Sequence, residues 1–178
     1  MKTSRIVFFM ALVLGMFLSV VPSGLSQPTP GAKAPVITNA YAADKGQYGT
    51  IWKIYFEAEA PDAEMVKIAA VVNQPGQGQY PTDFTFLKAA YRKHVKGYLQ
   101  WNTFSSKGPM VKEGDYIILR ISVIDRAGNE SKEVVFPFTF ASGTKGQGPL
   151  PLPFNQGDIP RLGYIGIELK GSGGDKCQ

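Results

Sequence analysis

The sequence predicts an all-β protein: an antiparallel β-sandwich of seven to eight strands with a Pro/Gly-rich C-terminal extension. Three observations carry that expectation. Apolar residues recur at every second position over several stretches, the period of a strand with one buried and one wet face. Clusters of Gly, Pro, Asn and Asp separate these stretches at intervals of roughly ten residues, as in sandwiches. No long segment carries the 3.6-residue period of an amphipathic helix.

The chain opens with Lys2 and Arg5, runs apolar from Ile6 to Val21, and then places the small residues Gly24 and Ser26 before Gln27. A basic start, a short apolar run and small residues at the junction describe a secretory signal peptide over 1–26. Sixteen apolar residues fall short of the roughly 20 that span a bilayer, so cleavage is expected in place of anchoring. Lys2 and Arg5 leave with that segment. The remaining 152 residues hold seventeen cations and fourteen acids, a net of +3 where the whole chain has +5. So modest a charge names no partner, and for a secreted or periplasmic bacterial product nucleic acid is not expected. The length suits one domain with one core. Cys177 is the sole thiol, so the core must stabilise the fold without disulfides; Cys177 itself is a candidate for an intermolecular one.

Residues 27–33 are a Pro/Gly linker, and 34–140 hold the sandwich. Ala34–Tyr41 reads as a first strand, with Pro35 tolerable near its start. Trp52, Ile54, Phe56 and Ala58 alternate with Lys53, Tyr55, Glu57 and Glu59, the clearest half-buried strand of the N-terminal half. Met65–Asn73 is apolar on both faces and calls for cover on both. Asn73–Pro81 is a loop, and Phe84–Lys88 a short strand. Val95–Trp101 reads as a strand with Val95, Leu99 and Trp101 inward, preceded by a possible helical turn. Residues 141–178 form a Pro/Gly-rich tail in which Leu150–Pro153 favours polyproline II and a short strand lies near 162–169. That strand is expected to cap an edge of its own sheet; the alternative is addition to a neighbour's.

The longest signal is a hairpin. Ile117, Leu119, Ile121 and Val123 share one face of its first strand; Val134, Phe136, Phe138 and Phe140 share one face of its second. Asp125-Arg-Ala-Gly128-Asn129 supplies the turn. This Asp-x-Ala-Gly-Asn-Glu-Ser hairpin resembles the closing hairpin of bacterial immunoglobulin-like and fibronectin type III-like domains. The resemblance implies a sandwich used for display, spacing or binding, and it brings no catalytic residues. It also implies a tyrosine corner at Tyr116. Tyr116 falls in the opposite parity from Ile117 and Leu119, so the corner needs a bulge there or does not form.

Chemistry is sparse. His94 is the only histidine and sits among Arg92, Lys93 and Lys96, with no carboxylate close in sequence to orient it. One histidine and one terminal cysteine do not make a zinc site, and no phosphate-binding glycine loop occurs. No cofactor and no metal are expected. Between Phe84 and Lys112 there is no acid, whereas Glu57, Glu59, Asp62 and Glu64 concentrate negative charge earlier. Separated patches of this kind suit a protein partner or an anionic polymer or surface. Tyr98 adds an aromatic to the basic stretch. The candidate interaction surface is therefore Arg92, His94, Lys96, Tyr98 and Gln100. The expected role is an exported, non-catalytic interaction or structural module; a carbohydrate-binding module and a small secreted hydrolase are the alternatives.

Overall fold

A computed structural model describes residues 33–104, 111–144 and 148–171. The signal-peptide and linker readings over 1–32, and Cys177, lie outside the described residues. Among the described residues ten strands follow in order: β1 (Val36–Ala42), β2 (Lys45–Gly46), β3 (Ile51–Glu59), β4 (Met65–Gln74), β5 (Gly78–Gln79), β6 (Asp83–Phe86), β7 (His94–Asn102), β8 (Tyr116–Asp125), β9 (Val134–Phe140) and β10 (Arg161–Ile165). Two of them are two-residue pairings, which is why period-2 patterning alone undercounts them. A 3-10 turn at Ala89–Tyr91 precedes β7.

The strands form two sheets, ordered β1-β3-β7-β10 and β2-β9-β8-β4-β5, with β6 also paired to β4. Among its crossings between the sheets, the chain passes from β3 to β4 and from β7 to β8. That is the pattern of an immunoglobulin-like sandwich. Neither sheet is purely antiparallel: β10 runs parallel to β7 and β2 parallel to β9. Periodicity cannot register this, because it reports which face a residue occupies and not the direction of the neighbouring strand.

The core fills the space between the sheets. Trp52, Ile54, Phe56 and Ala58 from β3 and Val95, Leu99 and Trp101 from β7 face Ile68, Ala70 and Val72 from β4, the even-spaced isoleucines and leucine of β8, and Phe136, Phe138 and Phe140. Trp52 packs on Phe138 with ring centroids 4.5 Å apart and on Trp101 at 6.0 Å. Full burial of each such side chain contributes about 1.5–3 kcal/mol, which is how a sandwich holds without crosslinks. In the closing hairpin, Gly128 takes a φ of 87°, and the Asp125 carboxylate accepts from the Asn129 backbone N–H at 2.8 Å and side-chain amide at 3.0 Å. Tyr116 pairs with Thr139 and Ile117 with Phe138 in unbroken register, and Tyr116 is exposed. No bulge re-phases the strand, so the tyrosine corner does not form.

The chain after β9 is built into the sandwich. Phe154 is buried. Residues 152–155 do not adopt polyproline II; they turn, with the Phe154 and Asn155 N–H groups donating to the Pro151 carbonyl at 2.8 and 3.1 Å. That turn swings Phe154 onto the sheet, which an extended segment would not do. β10 then caps the edge of β7 in its own sheet and also meets β6, spanning the gap between the two layers. Its Leu162 fills the space above Gly97, where a Cβ would lie 2.5 Å from the leucine Cγ. Beyond β10, the Trp101 indole N–H donates to the Ile167 carbonyl at 2.9 Å, and the Gln74 side-chain amide donates to the Lys170 carbonyl at 2.8 Å. The Lys170 N–H donates to the Tyr80 hydroxyl at 2.7 Å, and the Gly166 N–H to Asp83 at 2.7 Å.

Candidate functional site

Alternation along β3 and β7 places every second side chain on the outer face of the four-stranded sheet. Register then stacks these residues in rows across the strands. Tyr41, Tyr55, Tyr98 and Arg161 occupy one row over β1, β3, β7 and β10. Lys53, Gln100 and Tyr164 form the row on one side. Asn39, Glu57 and Lys96, then Val36, Glu59 and His94, form the rows on the other.

These rows divide the five expected surface residues into two groups. Arg92, His94 and Lys96 lie beside acids. The His94 Nε2 is 3.0 Å from Glu57 Oε1, and the other oxygen of Glu57 accepts from the Asn39 amide at 3.0 Å. Lys96 stands opposite Glu57 in register. The Arg92 guanidinium is 3.7 Å from Glu64, which also takes Arg126 at 3.0 Å. Distance in sequence separated the basic and acidic runs; antiparallel pairing of β3 with β7 lays them side by side. The expected separation of charged patches is thereby lost. Exposed pairs of this kind stabilise little, about 0–1 kcal/mol each.

Tyr98 and Gln100 belong to a different surface. The Tyr98 ring lies 5.4 Å from that of Tyr55, with the Lys53 Nζ 5.0 Å from its centroid. The Gln100 side-chain oxygen accepts from Arg161 at 3.3 Å, and the same guanidinium sits 4.4 Å from the ring centroid of the exposed Tyr164. Over this aromatic row the segment 149–159 folds back. Phe154 meets Tyr55 at 5.7 Å, and an open groove of about 530 Å3 runs between the segment and the sheet. Tyr55 is only 5% exposed. Burial, and the neighbouring Tyr98 and Tyr41 hydroxyls, push its pKa up, so it is a neutral phenol over the physiological range.

Sequence reasoning singled out Tyr98 and Gln100 of this face and did not single out Tyr55, Lys53, Phe154, Arg161 or Tyr164, which the fold places beside them. A tyrosine among the charged residues of the wet face of β3 was a usable signal, as was one phenylalanine in a Pro/Gly run. Among the described residues no three His, Cys, Asp or Glu side chains are grouped to hold a metal ion, and no helix is long and apolar enough to cross a membrane.

No protein-family model matches the sequence, and no curated protein matches it significantly. Solved structures with partial likeness include the PKD domain of an M14-like peptidase from a Thermoplasmatales archaeon (14% identity, TM-score 0.42, 62% of this chain and 99% of that one). Another is the alkylpurine DNA glycosylase AlkC of Pseudomonas fluorescens bound to DNA with an abasic-site analogue (12% identity, TM-score 0.41, 61% of this chain and 31% of that one). A third is a CARDB domain from Pyrococcus furiosus in complex with two metal ions (8% identity, TM-score 0.33, 61% of this chain and 86% of that one). Likenesses this distant transfer no function to the present chain.

Proposed function

We propose that this protein is an exported, non-catalytic interaction module, bacterial and secreted or periplasmic, that binds its partner through the outer face of the four-stranded sheet. One observation carries the reading. That face carries an aromatic row, Tyr41–Tyr55–Tyr98, whose central ring is covered by Phe154, flanked by Lys53, Gln100, Arg161 and Tyr164, and the chain's own C-terminal segment shapes a groove upon it. Aromatic rings with adjacent polar tips are the groups that supply most of the affinity at binding surfaces. Neighbouring Arg92 and His94, each paired with an acid, and Lys96, opposite Glu57 in register, act as the polar rim of the surface and contribute orientation more than affinity. The N-terminal basic and apolar pattern supports export.

The test is to recover a partner from the envelope or culture fluid with the secreted chain, identify and purify it, and measure its affinity for two variants. Tyr98→Ala is expected to weaken binding at least about tenfold and Lys96→Ala less than about threefold, both with unchanged folding. Equal affinity for Tyr98→Ala and the parent would overturn the assignment of this face. Recovery of a product that retains 1–26 would overturn export.

A further inference from the structure

The Tyr55 hydroxyl has no hydrogen-bond partner among the described residues, although Tyr55 lines the groove and is nine-tenths buried. A hydroxyl that lines a groove without a partner among the described residues is placed to pair with what enters that groove. A ligand there would take up that bond. A neutral phenol both donates and accepts, so it suits a partner that does the same.

The rest of the lining narrows the chemistry. Tyr98 offers a half-buried ring face, and Phe154, Pro149, Leu150 and Ile159 supply apolar wall. Among them stand Asn155, with one acceptor and two donors, and the opposed charges of Lys53 and Asp158. One cation and one acid in the same groove give no net charge by which to select an ion. Apolar faces that alternate with mixed donors and acceptors complement a pyranose, whose C–H face stacks on aromatic rings while its hydroxyl rim bonds to both kinds of group. A volume of about 530 Å3 falls within the roughly 300–1,000 Å3 of small-molecule sites and holds a few sugar rings. We propose that the groove between residues 149–159 and the outer sheet face binds a neutral oligosaccharide, stacked on Tyr98 and hydrogen-bonded by Tyr55. This rests on the outer face being the binding surface.

The experiment titrates the purified chain with linear trisaccharides of α- and β-linked glucose, mannose, xylose and N-acetylglucosamine, followed by NMR shift changes. At least one is expected to bind saturably, to shift resonances of Tyr55, Tyr98 and Asn155, and to bind equally at about 0.05 and 0.5 M salt. Tyr55→Phe should weaken it about five- to tenfold without loss of thermal stability, because no described residue bonds to that hydroxyl. Tyr98→Ala should weaken it about tenfold. No saturable binding to any of the five at millimolar concentration, steep salt dependence, or unchanged affinity of Tyr55→Phe would each overturn the inference. If the sugars fail while an identified protein partner loses affinity to Tyr98→Ala, the outer-face reading stands and the sugar does not.

Discussion

At Gly97 the missing side chain decides where the C-terminal chain can lie. A Cβ there would meet the Leu162 Cγ and both methyl carbons at 2.5–2.8 Å, so only glycine lets β10 close on β7. Gly97→Ala is expected to cost about 1–3 kcal/mol in urea unfolding. Leu162→Ala in the same chain should recover part of that loss, since the clash and the leucine are one contact. Additive losses would contradict the packing. Asp125 works by a different mechanism: it is buried and accepts both Asn129 donors, so Asp125→Ala leaves them without their acceptor and should destabilise by about 1–3 kcal/mol.

The tyrosines set a pH dependence. Burial raises the pKa of Tyr55, and it raises that of Tyr80 in spite of the Lys170 N–H, which pulls the other way. A phenol whose folded pKa exceeds its unfolded value holds more protons when folded, so its contribution is complete below the unfolded pKa of 10.0 and is lost as pH rises through the folded one. Equilibrium stability should therefore be flat across neutral pH and fall above about pH 10, less steeply in Tyr55→Phe. A fall between pH 7 and 9 would contradict this assignment.

Among the elements, β3, β7, β8 and β9 were legible because each pairs a more buried face with a wetter one and so writes period two into the sequence, whereas β4 was legible as an apolar run covered on both faces. Trp52, Ile54, Phe56 and Ala58 show the period of two without a break. The tail was legible only in part. Ile165, Ile167 and Leu169 gave away a strand near the end, but Gly163 and the parallel direction of β10 left no periodic trace. Phe154 lies in a turn, where no alternation exists to flag a buried ring. The site suffered for the same reason: Tyr98 and Gln100 sit on a readable strand, whereas their companions Arg161 and Tyr164 arrive from a distant segment. Because β10 and the residues after it satisfy Trp101 and Gln74 and bury Ile165 and Leu169, deleting 157–178 should lower the melting temperature by roughly 5–15 °C. The protein should stay monomeric by light scattering. A shift to oligomers would instead show that the exposed β7 edge recruits a second chain.

Over the whole molecule, one aromatic core does the work that crosslinks do in many exported domains, and the two outer faces are left to differ. The outer face of the four-stranded sheet acquires its groove only when the C-terminal segment folds onto it. On the proposed reading, the folding of that segment and the formation of the binding surface are the same event. The most direct test is the nuclear Overhauser pattern of the purified chain in solution. Cross-peaks from Phe154 to the Tyr55 ring and from the Leu162 methyls to Gly97, with a protected Trp101 indole proton, are what the account predicts. Random-coil shifts throughout 148–171, with neither cross-peak present, would contradict it.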